Sequence, residues 1–341
     1  MPAVTTNDIL SLPRIPRPGL EDRPRQATKI VDSLRTFEGA GFPVRRPFPT
    51  PALTEDTDPF LLLDHMVAAY EPHEAKGAPW HPHRGFETVT YLMDGTFVHT
   101  DSHGGGGVIR DGDTQWMTAG SGLLHDELPS EKLVMNGGVF DGIQLWVNLP
   151  ANAKMSQPNY QDIQGPGLTL VSSDDGGALV RVIAGTVGEH HGPGQTHTPI
   201  SLVHASLAPG ARLQVPWNRD YSAMAFLLHG EGTVGDDRRA FTESQLALFG
   251  TGDYLTVEAG PEQTFRSGHM EVLLLGGQPI HEPVARYGPF VMNTRAEIVQ
   301  AVEDFQAGRM GQIPPGYEGR EYAPDPADEL PHSGLEGDEK L

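Results

Sequence analysis

An all-β fold in two domains follows from three features of this sequence. Short apolar or alternating runs recur from Phe60 onward, at Phe60–Leu63, Thr88–Met93, Thr114–Met117 and Gly142–Val147, the length and pattern of strands. The 41 glycines and 30 prolines are spread between those runs, as turns joining many short strands require. A displacement of 135 residues lays the segment Val215–Gly230 on Trp80–Gly95, so that Arg84 meets Arg219, Leu92 meets Leu227 and Gly95 meets Gly230. This repeat is weak by identity and suggests duplicated β-domains. At 341 residues the chain is long enough for both.

Residues 1–50 carry Pro13, Pro16, Pro18, Pro24, Pro43, Pro47 and Pro49. That spacing excludes a long helix and predicts an irregular extension lying across the main body. Residues 51–165 form the first β-domain and 166–292 the second. Asp94-Gly95 between two strand-like runs predicts a tight hairpin, with a longer turn at Gly104–Gly107. Thr294-Arg295-Ala296-Glu297 fits a capping box, and Ile298, Val302 and Phe305 share one face, so residues 293–310 predict a helix ended by Gly308. Residues 311–341 hold two Lys/Arg against eight Asp/Glu and read as a solvated acidic tail.

Composition removes several function classes. A net charge of −21 argues against a direct hold on nucleic acid. No run approaches the roughly twenty apolar residues of a membrane span, and the start lacks a signal peptide, so the expectation is a soluble cytoplasmic protein. With no cysteine, any metal must be held by His, Asp, Glu or water.

Two His-x-(His/Glu) pairs stand out: His81 with His83, and His125 with Glu127. Residues i and i+2 of a strand point the same way, so each pair aims two donors at one point. If the two strands meet, three imidazoles and one carboxylate converge. Such a set suits a divalent transition metal and leaves positions open for exogenous ligands. In the displaced copy His81 falls on Pro216 and His83 on Asn218, so only the first domain is expected to bind metal. Glu87 follows the His pair by an even count and is expected to share its face. Arg84 reads either as a group at the site or as half of a surface ion pair. Phe86, Trp116, Met117 and Trp146 read as strand core or pocket wall. His99, His103, His190, His191 and His229 read as structural or surface residues. Gly104–Gly107 lacks the spacing of a phosphate loop, and Ser121 lacks the Gly-x-Ser-x-Gly setting of a hydrolase nucleophile.

The run His81-Pro82-His83-Arg84-Gly85-Phe86-Glu87-Thr88-Val89-Thr90-Tyr91 closely resembles the signature of the pirin family of the cupin superfamily. Asp58–Asp64, Gln115–Gly122, Gln144–Pro150 and Tyr287–Thr294 agree with it. The resemblance covers roughly residues 50 to 310. It implies two stacked cupin barrels with a C-terminal helix and a single metal in the N-terminal barrel, held by His81, His83, His125 and Glu127. A typical cupin would use Glu87 as its carboxylate, whereas pirins point to Glu127. Fe(II) is the metal implied first, with Mn, Co, Ni or Cu compatible with the donors. The resemblance further implies a monomer acting on a flavonol such as quercetin with O2, Glu127 serving as general base. The alternative it carries is a non-enzymatic, redox-sensing regulator that binds a transcription factor or metabolic enzyme.

Overall fold

The computed structural model describes residues 4–6, 8–50, 53 and 55–324. The acidic stretch from Asp325 onward lies outside them. Two β-sandwiches of matching plan make up the chain. In the first, a seven-stranded sheet runs in the order Asn159–Ile163, Thr114–Thr118, Phe86–Asp94, Gly138–Asn148, Phe60–Tyr70, Phe42–Phe48, Leu34–Glu38. Against it lies a four-stranded sheet, Ala78–His83, Leu123–Pro129, Phe97–Asp101, Gly106–Ile109. In the second, the seven strands are Ala27–Asp32, Gln245–Phe249, Met224–His229, Met270–Gly277, Ile200–Leu207, Ala178–Ala184 and Thr169–Ser172. Its four are Arg212–Pro216, Tyr254–Ala259, Glu231–Val234 and Arg239–Thr242. The repeat read from the sequence is thus matched strand for strand. Among the described residues, no helix is long and apolar enough to cross a membrane.

The termini are exchanged between the sandwiches, and this corrects the reading of residues 1–50 as irregular. Ala27–Asp32 is an edge strand of the second sandwich, paired from Ala27 on Phe249 to Asp32 on Gln245. It occupies the place that Asn159–Ile163 fills in the first. Leu34–Glu38 and Phe42–Phe48 then close the other edge of the first sandwich. Proline density misled because Pro47 sits in the register break between Arg45 and Phe48, where the ladder needs no N–H from it. Buried Arg25 fixes the crossing. Its guanidinium donates to the carbonyls of Gly252, Tyr221, Asn218 and Arg219 at 2.7 to 3.1 Å.

At the other end, the chain leaving the second sandwich returns to the first. A hairpin, Ala285–Tyr287 with Phe290–Met292, and the helix Arg295–Gln306 pack through Phe290, Met292, Ile298, Ala301 and Met310 against Leu124. The capping box at Thr294 and Glu297 forms as read, and Gly308 follows with φ +69°. Asp94-Gly95 is a turn, with Gly95 at φ +115°, but it makes no hairpin. The strands it joins, Phe86–Asp94 and Phe97–Asp101, belong to opposite sheets. The true hairpin is the next one, Phe97–Asp101 with Gly106–Ile109.

The two large sheets meet back to back over an apolar seam that includes Leu63, Val89, Ile143, Leu145, Leu202, Phe226 and Leu273. Two related polar pairs are buried in it. His65 Nε2 meets Asp141 Oδ1 at 2.9 Å, and His204 Nε2 meets Glu271 Oε2 at 3.1 Å. His65 opposes Ile143 as His204 opposes Leu273, so the pairs occupy corresponding ladder positions. Each also reaches across: His229 of the second sandwich bonds Asp141 at 2.7 Å, and Tyr91 of the first bonds His204 at 2.8 Å. The structural reading of His229 therefore holds.

Candidate metal centre

His81 and His83 end the strand Ala78–His83, and His125 and Glu127 lie on its neighbour Leu123–Pro129, with His81 directly opposite His125. The nearest ring nitrogens of His81, His83 and His125 fall within 4.8 Å of one another. His81 Nδ1 lies 2.8 Å from the Pro79 carbonyl and His83 Nδ1 lies 3.4 Å from that of Pro289. A carbonyl only accepts, so each Nδ1 carries the proton and each Nε2 presents a lone pair. Those two Nε2 atoms are 3.1 Å apart, a repulsive contact unless a cation or proton lies between them. His125 Nε2 is buried without a hydrogen-bond partner. Burial lowers the pKa of all three imidazoles and so keeps them in the neutral, ligating form. Bare, converging lone pairs of this kind fit a divalent transition cation.

Glu127 belongs to an adjoining group with His99 and His125, again within 4.8 Å. Its Oε1 is 2.8 Å from Thr90 Oγ1, which is also 2.8 Å from Gln144 Oε1, while Gln144 Nε2 donates to Glu127 Oε2 at 3.0 Å. Thr90 has one proton and two acceptors in reach. It donates to Gln144 when Glu127 is protonated and can donate to Glu127 when it is not. Burial, with nearby Asp126, pushes the Glu127 carboxyl up to about 7 against these bonds. His99 is buried beside His125, Nδ1 to Nδ1 at 3.3 Å. It is a buried neighbour of the donors rather than a surface residue. Its pairing opposite Glu127 is a non-local fact that no sequence spacing shows.

Glu87 does not share the histidine face. The even count from His83 assumed one continuous strand, but the chain turns at Gly85, whose φ is +90°, and Phe86–Asp94 continues in the opposite sheet. Parity restarts there. Phe86, Thr90 and Leu92 face inward, and Glu87, Val89 and Tyr91 face the seam. Glu87 accepts from Thr118 Oγ1 at 2.8 Å and meets His197 of the second sandwich at 2.9 Å. Gly85 has no room for a side chain, since a Cβ would lie 2.0 Å from the Val291 carbonyl. Lys154, buried, donates to Gly85 O, Asn148 Oδ1 and Val291 O at 2.7 to 3.1 Å and locks the same turn. Arg84 is neither at the cavity nor on the surface. It is buried and joins Asp304 of the C-terminal helix at 2.7 Å.

A cavity of about 470 Å³ opens onto the donors and is lined by His81, His83 and Glu127, with His125 behind them. Leu62, Met66, Phe97 and Trp146 supply apolar wall, and Arg46, Asp64 and Arg286 supply charge. Of the four residues read as core or wall, only Trp146 borders it. Phe86 packs behind His83 and Trp146, Trp116 faces the seam, and Met117 packs with Ala119 and Leu123.

Among the described residues, the interior of the second sandwich has no counterpart to this cluster. Val215 opposes Leu255 there as His81 opposes His125, and Trp217 takes the place of His83. This shifts the sequence alignment by one residue on that strand, which exchanges faces: the inward residues are Val215 and Trp217, not Pro216 and Asn218. Glu127, Thr90 and Gln144 correspond in the ladders to Val257, Ala225 and Leu274. All three are buried in an apolar core.

Two cupin sandwiches, one lined with a cluster of histidines that could hold a metal and one filled with hydrocarbon, define a bicupin. The family model described as Pirin matches residues 41–147 and that of the Pirin C-terminal cupin domain matches 202–311. A Pseudomonas aeruginosa protein bearing quercetin 2,3-dioxygenase as a provisional name is 42% identical over 278 residues, 81% of this chain and 94% of its own. A pirin-like protein of Solanum lycopersicum is 39% identical over 85% of this chain and 94% of its own. A crystal structure described as quercetin 2,3-dioxygenase from Acinetobacter baumannii superposes with a TM-score of 0.78 at 35% identity, covering 85% of this chain and 99% of that one. The chain belongs to the pirin family, and its fold, relatives and histidine cluster support a metal-dependent cupin function.

Proposed function

We propose that the chain is a flavonol 2,3-dioxygenase of the quercetin type, with Fe(II) held by His81, His83, His125 and Glu127. The observation that carries this reading is the convergence of unpartnered imidazole lone pairs at the floor of a cavity whose size lies in the usual range for small-molecule sites. The names of the Pseudomonas and Acinetobacter proteins supply the substrate. Iron bound there would lend Lewis acidity to a flavonol hydroxyl and open a path for electrons to O2. The protein's own groups do the rest. Glu127 accepts the flavonol hydroxyl proton at its carboxylate. Thr90 turns its hydroxyl toward Gln144 as Glu127 becomes protonated, so neither state leaves a buried polar atom stranded. Trp146, Leu62 and Phe97 give the planar rings an apolar wall and exclude water. Carbon monoxide leaves as the ring opens and takes up both atoms of O2.

One feature favours a second reading, a redox-sensing regulator. His83 and Arg84 bond directly to Pro289 and Asp304 of the terminal hairpin and helix, so a change at the donors has a short route to the surface. Anaerobic loading with Fe(II), then addition of O2 and quercetin, decides between them. Quercetin loss with carbon monoxide release supports the enzyme. Absence of turnover together with partner capture that depends on oxidation state supports the regulator.

A further inference from the structure

The cavity is roofed by a hairpin from beyond the second sandwich. Arg286, Gly288 and Pro289 form part of its lining. Charge in this cavity is almost entirely paired. Asp64 receives Arg46 through both oxygens, at 2.7 and 2.5 Å, and Glu38 is bound by the same guanidinium. Glu127 is taken by Thr90 and Gln144. Arg286 differs from these groups. Its guanidinium carbon sits 4.7 Å from the centroid of the Trp146 ring, and it makes no side-chain hydrogen bond or ion pair with any described residue. Trp146 in turn stands edge-on to His83, ring centroids 5.2 Å apart. One indole therefore separates a cation with free donors from the metal-ligating group. A guanidinium positioned by stacking keeps its N–H fork available for an anion, which a lysine ammonium does not match.

We propose that Arg286 is the specificity residue of the cavity and binds an anionic oxygen, carboxylate or phenolate, at the far end of a planar aromatic ligand whose near end reaches His81, His83 and His125. This rests on reading the cavity as a substrate site. Its chemistry extends that reading, because it ranks ligands by charge at a point away from the reacting ring. Glu38 and Asp64 attract Arg286 through space, but their short bonds go to Arg46, so the N–H fork of Arg286 stays unbonded by them.

The test uses iron-loaded full-length protein and two 3-hydroxyflavones that share one chelating end and differ at the 4′ or 7 position, carboxylate against carboxamide. Binding is followed by the shift of the flavonol absorption band, and iron content is measured in every sample. Wild type is expected to favour the carboxylate about tenfold, a charge-assisted hydrogen bond's worth. Arg286→Met should erase the preference and Arg286→Lys should keep part of it, with iron content unchanged in both. A preference that survives Arg286→Met, or none in wild type, overturns the assignment. If no 3-hydroxyflavone binds, the flavonol reading fails on its own. The Arg286 question then passes to 2-naphthoate against 2-naphthamide, where loss of discrimination in Arg286→Met upholds it and unchanged discrimination refutes it.

Discussion

The two sandwiches have the same strand order and opposite interiors. In the first, the inward positions of the small sheet carry His81, His83, His125, Glu127 and His99, and apolar packing retreats to one end around Leu92, Phe97 and Phe140. In the second, the corresponding positions carry Val215, Trp217, Leu255, Val257 and Val234, and the core is continuous. A shared scaffold thus gathers candidate metal donors in one copy and hydrocarbon in the other, because chemistry resides in the inward side chains and not in the ladder of backbone bonds. The seam shows the reverse, since there both copies keep a buried histidine on a buried carboxylate.

The largest effect is expected from removing a donor from the first sandwich. His125→Ala should abolish most metal binding while the far-ultraviolet circular dichroism stays that of the wild type, because the apolar clusters hold the strands without the ion. Metal analysis showing full occupancy would contradict the ligand assignment. The converse change puts a donor into the filled copy. Val257→Glu places a carboxylate where no polar partner stands, and should cost about 3 kcal/mol or more, read as a lower urea midpoint. An unchanged midpoint would mean that the second interior is not dry.

Asp141→Ala strips the shared carboxylate from His65 and His229, and should cost about 2–4 kcal/mol. The same seam sets a pH window. Burial raises the Glu271 carboxyl, but the bonds from His204 and Ser206 outweigh it and hold it near 2. Its folded pKa is therefore below the unfolded value, and its stabilisation, full above pH 4.5, fades as pH falls toward 2. Buried His65 and His204 are also lowered, so their contribution is present above pH 6.5 and is lost below it. His229 has the opposite sign. Burial lowers it, yet Asp141 and Glu243 raise it overall, so its contribution holds below pH 6.5 and is lost as pH rises. Glu127, raised to about 7, contributes with the opposite sign in this range, so the urea midpoint of the wild type should fall from pH 6.5 to pH 4 more steeply than that of His65→Gln/His204→Gln, and equal slopes would contradict the seam's role.

The smallest effect is expected from Thr90→Val, which preserves shape and removes the hydroxyl between Glu127 and Gln144. A loss of roughly ten- to a hundredfold in metal affinity is expected, as for other groups that orient ligands, measured by competition with a chelator.

Much of this was legible in the sequence, for a physical reason. Strand parity is local, so His81 with His83 and His125 with Glu127 could be read as same-facing pairs, and the capping box at Thr294 needs only four residues. What failed was parity carried across a break. Glu87 lies on the other face because Gly85 ends one strand and a different sheet begins. The repeat put Pro216 where Val215 belongs because the two copies differ by one residue between adjacent strands. The roles of His99, Thr90, Gln144 and Arg286 cannot be read from spacing, because they enter through pairing across strands and sheets or through a hairpin far beyond His83 in sequence. Proline density likewise hid the strands of residues 27–48, where a register break accommodates Pro47.

The central claim is that one cation is gripped in the first sandwich alone. Metal analysis of the reconstituted protein, joined to X-ray absorption at the metal edge, tests it most directly. The expected result is one ion per chain with imidazole scattering from three histidines, reduced to background in the His81→Ala/His83→Ala double variant. Two ions per chain, or a signal unaltered by that double variant, would contradict it.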